Sequence, residues 1–268
     1  MRTGGRVRYF FEPADAGELA VILEYLSETG MQFFVLGGGT NVIAPGKIAT
    51  PAVVSTRRIS GLEMDGGRVK AACGEPLPRL SVRTARMGFS GLEQLAGIPG
   101  TVGGAVAMNA GGKWGCIGDS VVSITALDFF GQAKTYGKEE LDFAYRRGPF
   151  SDKIITSVTF ELGYIGKKAL DDFRTHLREK AAAQPLGFPS AGCVFLNPPG
   201  ESAGALIDRA GLKGLAVGGA RVSEKHANFI ITDGAARPSD VMRLMRVVEA
   251  EVLGKFGITL KPEVKIVA

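Results

Sequence analysis

Apolar positions near the start of the chain follow the period of a helix and then that of a strand. The helix runs from Asp15, a suitable N-terminal cap with Glu18 three residues on, to Gly30 at the C′ position. The run FFVL at 33–36 then predicts a strand, so the chain opens with a β-α-β order. One face of this helix is defined by residues at i, i+3, i+4 and i+7, which are Leu19, Ile22, Leu23 and Leu26.

The remaining pattern mixes strands and helices without steady alternation. Such a mixture favours an α+β fold over a doubly wound sheet. Composition changes at Lys167, where a charged helix begins that Pro185 stops, so we place a domain boundary near residue 165. The other predicted elements are strands at 53–56, 68–74, 154–163, 226–232 and 262–267, helices at 76–88, 203–210 and 239–256, and a hairpin at 121–136 turning near Gly131.

Two glycine-rich segments interrupt these patterns. Residues 97–112, GIPGTVGGAVAMNAGG, hold six glycines, and residues 33–45, FFVLGGGTNVIAP, hold three. Glycine is unfavourable inside helices and strands, so this density indicates that the backbone lies close to another group. A flat or anionic ligand lying against N–H groups fits, and a pair of purely structural turns is the alternative.

Neither segment carries a standard nucleotide motif. Val42 stands where a Rossmann fingerprint needs its third glycine, and Pro45 opposes a helix there. Ala107 occupies the first glycine position of a P-loop, and Trp114 follows Lys113 where that loop needs serine or threonine. Backbone N–H groups, with the side chains of Thr40 and Asn41, could still hold phosphates.

Charge and composition narrow the class of partner. The chain of 268 residues carries a net charge of +5 without a basic stripe, which favours small anions over nucleic acid. No apolar run reaches the length of a membrane span and no signal-peptide core is present, so we expect a cytoplasmic protein without a membrane partner. The three cysteines lack metal-ligand spacing, and we predict neither disulfides nor a metal.

Several single residues carry candidate chemistry, each with an ordinary alternative. Arg146 could stabilise an anion or a developing enolate, but a solvated arginine is the simpler interpretation and Arg147 is equally eligible. Cys193 follows a glycine and could donate a proton, although a lone cysteine is usually a small buried hydrophobe. Glu263 could present an acid to a cleft at a strand end, although a carboxylate at such a position is ordinarily solvated. His226 suits a polar binding role or a buried structural role equally well.

Seven stretches, in order along nearly the whole chain, resemble the UDP-N-acetylenolpyruvoylglucosamine reductase (MurB) family. The set is specific because all of its members occur in the family's order, and the chain is similar to the shorter of the two family types. The stretches are LGGGTN at 36–41, GIPGTVGGAVAMNAG at 97–111, YRRGPF at 145–150, PSAGCVFLNPPG at 189–200, AGALIDRAGLKG at 203–214, VSEKHANFI at 222–230 and LKPEVKIV at 260–267.

The resemblance implies an α+β protein of three parts. An FAD-binding region of the vanillyl-alcohol oxidase/PCMH type, with subdomains of about 1–58 and 59–165, would precede a UDP-sugar substrate-binding domain at 166–268. FAD would be bound non-covalently, and NADPH would supply the hydride. No histidine precedes His176, which excludes attachment of the flavin through histidine in the first region. We expect a monomer, since the site needs no partner chain.

The resemblance also implies roles for individual residues. Arg146, Cys193 and Glu263 would be catalytic. Substrate would contact Tyr145, Asn197, His226 and Asn228. The cofactor would lie against Gly37, Gly38, Gly39, Thr40, Asn41, Gly97, Ile98, Pro99, Gly100, Thr101, Gly103, Gly104, Ala105, Asn109, Ala110 and Gly111.

The implied reaction is the reduction of an enolpyruvyl ether of UDP-N-acetylglucosamine to UDP-N-acetylmuramate. Hydride would reach C3 from N5 of the flavin, Arg146 and Glu263 would polarise the carboxylate, and Cys193 would protonate C2. The chain departs from the family pattern at Cys193, where serine is commoner, and at Leu196, where lysine is frequent. It also begins at RTGG, without the few residues that usually precede this segment.

Two other classes of function fit parts of this pattern. An oxidase of the same flavoprotein superfamily would consume oxygen with an alcohol substrate. A regulatory protein that binds a nucleotide sugar without redox chemistry would stay colourless in the presence of FAD.

Overall fold

The computed structural model describes residues 1, 3–46 and 50–267; Arg2 of the RTGG start lies outside them. Its helices are α1 (Ala16–Glu28), α2 (Leu77–Arg86), α3 (Val102–Ala107), α4 (Lys168–Ala183), α5 (Ala203–Arg209) and α6 (Pro238–Phe256). Short 3₁₀ turns lie at Glu93–Leu95, Ile117–Ser120 and Lys138–Glu140. Among the described residues, no helix combines the length and apolar character needed to cross a bilayer.

The strands are short, and most of them belong to three sheets. They are β1 (Tyr9–Phe11), β2 (Phe33–Leu36), β3 (Val42–Ile43), β4 (Ala52–Ser55), β5 (Leu62–Asp65), β6 (Arg68–Ala72), β7 (Phe89–Ser90), β8 (Gly111–Gly112), β9 (Gly115–Cys116), β10 (Val121–Leu127), β11 (Ala133–Gly137), β12 (Ile154–Glu161), β13 (Gly163–Tyr164), β14 (Ser190–Cys193), β15 (Ala216–Val217), β16 (Ala220–Val222), β17 (Phe229–Thr232) and β18 (Lys265–Ile266).

The larger of two compact units comprises Arg8–Gly39 and Pro51–Lys180. It holds a parallel sheet in the order β1-β4-β2 and an antiparallel sheet in the order β11-β10-β12-β6-β5. Its core is built from leucines of α1 and α2 and from the inward-facing residues of both sheets, such as Val54, Ile124 and Phe160. Burial of these side chains is the main stabilising contribution to this unit.

The smaller unit comprises Met1–Val7, Thr40–Thr50 and Ala181–Ala268. Its antiparallel sheet has the order β14-β17-β16-β15, and α5 and α6 share a core with it. The C-terminal β18 pairs in parallel with β3, with Lys265 opposite Val42. This pairing explains why residues 40–50 belong to the C-terminal unit although they follow β2 directly in the chain.

The local predictions hold where hydrophobic periodicity is strong. Helix α1 has Asp15 as its cap, whose carboxylate accepts from the Glu18 N–H at 2.9 Å, and Gly30 follows with φ of 61°. The hairpin of β10 and β11 turns at Gly131 as predicted. The strand predicted at 226–232 begins only at Phe229, because residues 226–228 form a turn that the Phe229 N–H closes on the His226 carbonyl.

The compact units divide after Lys180, later in the chain than the composition change near residue 165. Helix α4 belongs mostly to the larger unit because Ala169 and Phe173 are buried with Ala85 and Ala96. The assignment of cofactor and substrate domains to residues 1–165 and 166–268 stays a prediction.

Candidate active site

The two glycine-rich segments touch each other inside the larger unit. A Cβ on Gly38 would lie 2.7 Å from the Cα of Gly100, and one on Gly37 would lie 2.8 Å from Oγ1 of Thr101. Both distances are too short for real side-chain contacts, so only glycine lets the two backbones meet here. The glycine density predicted that the backbone of each segment lies close to another group. The structure shows that one such group is the other glycine-rich segment.

The main-chain N–H groups of the two segments differ in how they are used. In the part of the chain that the structure describes, the amides of Gly37, Gly38 and Gly39 have no protein acceptor. In the second segment, many N–H groups are bonded within the protein: those of Ile98, Gly103, Gly104, Ala105, Asn109 and Ala110. The first segment therefore presents three consecutive N–H groups that an anion could satisfy, since buried or half-buried N–H groups need an acceptor.

These features fit FAD, whose pyrophosphate is an anion and whose ring system is flat. Gly37, Gly38 and Gly39 are half-buried and offer N–H donors, with Gly39 at a φ of 67°. Helix α3 begins directly after the second segment, where Thr101 caps it by accepting from the Gly104 N–H at 3.4 Å. Thr40 and Asn41 continue the first segment into the smaller unit.

Arg146 lies at the tip of a tight hairpin in the larger unit. Ala144 and Arg147 exchange two backbone hydrogen bonds of 3.0 Å, which leaves Tyr145 and Arg146 as the two-residue loop. Nη1 of Arg146 donates to the carbonyl of Gly111 at 3.2 Å. The guanidinium is therefore directed at the end of the second glycine segment.

The neighbouring arginine is directed elsewhere. Nη2 of Arg147 donates to the carboxylate of Asp142 at 2.7 Å, and both side chains are well exposed. Residue chemistry alone left Arg146 and Arg147 equally eligible, the family resemblance selected Arg146, and the hairpin directs the two side chains to different partners. Tyr145 is 57% exposed, and the Arg146 guanidinium lies 5.2 Å from the centroid of its ring.

Cys193 ends β14 in the smaller unit, at an irregular position. One extra residue between Ser190 and Cys193 makes a β-bulge against β17, and Gly192 takes up the bend with a φ of 74°. Bulges of this kind redirect side chains next to them. The side chain of Cys193 is half-buried.

The other two cysteines both have a raised pKa. Burial raises the pKa of Cys73 to about 12. Burial and, to a smaller extent, the Asp119 carboxylate raise the pKa of Cys116, whereas the charge of Arg146 opposes this shift. Cys116 thus lies within the electrostatic reach of Arg146, a relationship that sequence reasoning missed because the two are far apart in the chain.

Glu263 is held beside the segment that follows Cys193. Its N–H donates to the Val194 carbonyl at 2.7 Å, and the Leu196 N–H donates to the Lys261 carbonyl at 2.8 Å. Nδ2 of Asn41 donates to the Glu263 carbonyl at 3.2 Å. The smaller unit therefore brings together the predicted acid, the residue after the predicted proton donor, and one residue of the first glycine segment.

The predicted substrate residues divide into exposed and buried ones. Asn197 is exposed, and its Oδ1 accepts from the Ala203 N–H at the start of α5 at 3.0 Å. His226 is half-buried, packs edge-on against Phe229, and accepts from the Asn228 N–H through Nδ1 at 3.3 Å. Burial lowers the pKa of His226, with a smaller effect of the Lys213 charge, so the neutral ring is favoured.

Asn228, which was predicted to contact substrate, has a buried side chain that bonds to the protein backbone. Its side chain is 3% exposed, Oδ1 accepts from the Phe195 N–H at 3.0 Å, and Nδ2 donates to the Phe195 carbonyl at 2.8 Å. Both ends of the amide hold the backbone next to Val194. These two bonds tie Asn228 to the segment that follows Cys193, and contact with substrate stays a prediction.

His176 is placed by a ring contact. Its ring stacks on Trp114 with centroids 4.3 Å apart, and Nδ1 lies 3.3 Å from the Glu93 carbonyl oxygen. Within the described residues, no group of histidine, cysteine, aspartate and glutamate side chains forms a metal site.

Comparison with known proteins places the chain in a family. Two family models match it: an FAD binding domain at residues 7–136 and the C-terminal domain of UDP-N-acetylenolpyruvoylglucosamine reductase at 184–267. The reductase of Heliobacterium modesticaldum is 41% identical over 99% of this chain and 86% of its own length. That of Chlamydia trachomatis serovar A is 39% identical over 99% of this chain and 91% of its own length.

A solved structure agrees with these matches. The crystal structure of UDP-N-acetylenolpyruvylglucosamine reductase (MurB) from Thermus caldophilus has a TM-score of 0.85 and 35% identity, over 99% of this chain and 94% of that one. The α+β fold class predicted from the sequence is confirmed, as is the resemblance on which it depended. The chain belongs to the UDP-N-acetylenolpyruvoylglucosamine reductase family.

Proposed function

We propose that this chain is an FAD-dependent oxidoreductase of peptidoglycan precursor synthesis. It uses NADPH to reduce the enolpyruvyl ether of UDP-N-acetylglucosamine enolpyruvate, and the product is UDP-N-acetylmuramate. Family membership supports the reaction. The observation on this chain that supports it best is the pairing of Glu263 with Val194, which brings an acid beside the segment that carries Cys193.

The glycine-rich segments serve the cofactor. Gly37, Gly38 and Gly39 present N–H groups to the pyrophosphate, and the second segment, from Gly97 to Gly111, supplies a surface without bulky side chains. Bound FAD would supply hydride chemistry that links NADPH to C3 of the enolpyruvyl group. The protein's own residues then stabilise the negative charge that develops on the substrate and donate the proton that completes the reduction.

Charge develops at C2 and on the adjacent carboxylate as the hydride arrives at C3. Arg146 offers a forked cation to that carboxylate, and Glu263 polarises it when its carboxyl group is protonated. Cys193 donates the proton to C2, which completes the saturated lactyl ether and leaves a thiolate that solvent reprotonates. The thiol must be neutral at the start of each turnover for this step.

Substrate is oriented by side chains that remain accessible. Tyr145 is exposed beside Arg146, and Asn197 is exposed in the segment that precedes α5. Neutral His226 accepts through Nδ1, so its Nε2 carries the proton. Leu196 cannot replace the charge of the lysine that is frequent at its position in the family. Recognition of the anionic groups of the substrate therefore depends more on residues other than position 196 than it does in relatives with a lysine there.

The test is anaerobic stopped-flow absorbance of the flavin band of the FAD-loaded protein. NADPH should bleach the band, and mixing the reduced protein with UDP-N-acetylglucosamine enolpyruvate should restore it rapidly. Bleaching without recovery would support reduction of the flavin by NADPH but would contradict the proposed substrate. A protein that stays colourless after addition of FAD would overturn the redox function itself.

The monomeric state and the cytoplasmic location are further predictions from the sequence. Sedimentation velocity of the FAD-loaded protein tests the first, with a single species near 28.2 kDa expected. Fractionation of cells that produce the protein tests the second.

A further inference from the structure

Two residues other than glycine adopt left-handed backbone conformations in the part of the chain that the structure describes. They are Asn109, with φ of 42°, and Arg146, with φ of 55°. Such conformations are strained for most residues, and asparagine tolerates them better than arginine does. Strain of this kind persists only where the surrounding structure imposes it. The two residues lie on segments that are bonded to each other.

Asn109 contributes one of these bonds through its side chain. Nδ2 donates to the carbonyl of Ala144 at 3.0 Å, and Oδ1 accepts from the Gly118 N–H at 3.2 Å. The residue is only 7% exposed. The side-chain amide therefore bridges two loops and is directed into the protein.

Ala144 is the base of the hairpin that carries Arg146. Its carbonyl accepts both from the Arg147 N–H, which closes the hairpin, and from Asn109. At the hairpin tip, Nη1 of Arg146 returns to the carbonyl of Gly111, two residues after Asn109. The segment 109–111 thus holds the hairpin at its base and at the end of its functional side chain.

We propose that Asn109 is a positioning residue for Arg146. Its side chain fixes the base of the hairpin, so that the guanidinium is pre-oriented toward the substrate carboxylate before that carboxylate binds. This inference rests on the proposed function and changes the role that sequence reasoning gave to Asn109, which was contact with the cofactor. The side chain of Asn109 then affects the second half-reaction, in which the reduced flavin is reoxidised by substrate.

Two variants separate the contributions of the side chain. Asn109→Gly keeps the left-handed backbone accessible and removes both side-chain bonds. Asn109→Asp keeps an acceptor for Gly118 but loses the donor to Ala144. Arg147→Lys is the matched control, because it alters the same hairpin at an exposed ion pair.

The kinetic readout compares the two half-reactions in FAD-loaded protein. We expect both Asn109 variants to slow reoxidation by substrate by about tenfold or more, since small misplacements of a catalytic group have effects of this size. FAD content and the rate of reduction by NADPH should stay within about twofold of the unaltered protein. In an Arg146→Lys background, Asn109→Gly should cause little further slowing, because the two residues act as one unit.

A second readout needs neither cofactor turnover nor substrate. Hydrogen exchange of the Arg147 amide, which is bonded to the Ala144 carbonyl, should be faster in Asn109→Gly and Asn109→Asp, with thermal midpoints that show both variants to be folded. Unchanged exchange, or a loss of FAD content with normal reoxidation in the loaded fraction, would overturn the proposal. If the unaltered protein is not reoxidised by substrate, the proposed function fails, and the exchange measurement still decides whether Asn109 fixes the hairpin.

Discussion

The main-chain N–H of Glu263 donates to the carbonyl of Val194 at 2.7 Å. This bond joins the C-terminal segment to the residue directly after Cys193. The Glu263 carbonyl is fixed in turn by Nδ2 of Asn41. The backbone of Glu263 is thus held on both sides by groups other than its own carboxylate.

For Glu263, we expect Glu263→Ala to slow reoxidation of reduced enzyme by substrate about 10²- to 10³-fold, the loss typical of one stabilising group at a developing oxyanion. Glu263→Gln retains a donor and should lose less. Reduction by NADPH should be unchanged in both. Lys261→Ala is the control on the same segment, and equal slowing in that variant would argue against a role for the carboxyl group.

For Cys193, the thiol is the proposed proton donor at a β-bulge. Cys193→Ala should slow reoxidation by substrate about 10²-fold or more, whereas Cys193→Ser keeps a donor at the same position and should stay within about tenfold. The measurement is single-turnover recovery of the flavin band. Recovery in Cys193→Ala at the rate of the unaltered protein would remove Cys193 from the mechanism.

For the two adjacent arginines, the hairpin geometry predicts opposite outcomes. Arg146→Lys loses the planar fork and should lower kcat about 10²-fold, since an ammonium group cannot reproduce two-pronged contact with a carboxylate. Arg147→Lys keeps the charge of an exposed ion pair and should have almost no effect. Steady-state kinetics with saturating NADPH distinguish the two, and equal losses would contradict the assignment.

For the glycine-rich segments, close backbone contact predicts that position 38 does not accept a side chain. Gly38→Ala would place a Cβ 2.7 Å from the Gly100 Cα, and we expect a loss of about 1–3 kcal/mol in the free energy of unfolding together with lower FAD content. Gly112→Ala is the matched control, because a Cβ there meets nothing within 4 Å. Urea unfolding and the ratio of bound FAD to protein measure both effects, and a stable, FAD-replete Gly38→Ala variant would show that the cradle is wrongly identified.

For His226, the lowered pKa makes stability depend on pH. Burial disfavours the charged ring, and Nδ1 accepts from the Asn228 N–H only when it carries no proton. The unfolded chain therefore binds a proton more readily, so the contribution of His226 is complete above the ordinary histidine pKa of about 6.5 and is lost as pH falls below it. The difference in free energy of unfolding between the protein and His226→Gln should shrink from about pH 7.5 to about pH 5. A difference that is constant over this range would contradict the shift.

Local sequence was sufficient for the elements with strong periodicity. The position of helix α1 and its cap at Asp15 could be predicted because both signals are local. They are the apolar residues at i, i+3, i+4 and i+7 and a capping side chain a few residues before them. The hairpin at Gly131 was predictable because two strand-like runs flank a glycine, which here adopts the positive φ of 84° that the turn requires. The strand predicted at 262–267 was observed only at Lys265–Ile266, since its extent depends on the length of its partner β3.

The candidate site was recognised as a set of motifs that resemble a family, but residue chemistry and spacing did not show which contacts each side chain makes. Arg146 and Arg147 have the same chemistry, and only the hairpin directs one toward Gly111 and the other toward Asp142. Asn228 carries the same amide as Asn197, yet both of its amide atoms bond to the Phe195 backbone, whereas Oδ1 of Asn197 accepts from Ala203. Hydrogen bonds between distant segments decide such roles, and no local pattern encodes them.

By itself, the sequence determined the helices and strands of strong period, the glycine-rich segments and the family, because these depend on residue type and short spacing. The tertiary structure decided which glycines face each other, which arginine reaches the second glycine segment, and that Glu263 lies beside Val194. The physical reason is that each of these is a contact between residues far apart in the chain. Such contacts form only when the hydrophobic cores pack and bring distant segments together. Each buried polar group must then form hydrogen bonds with the partners that this packing places beside it.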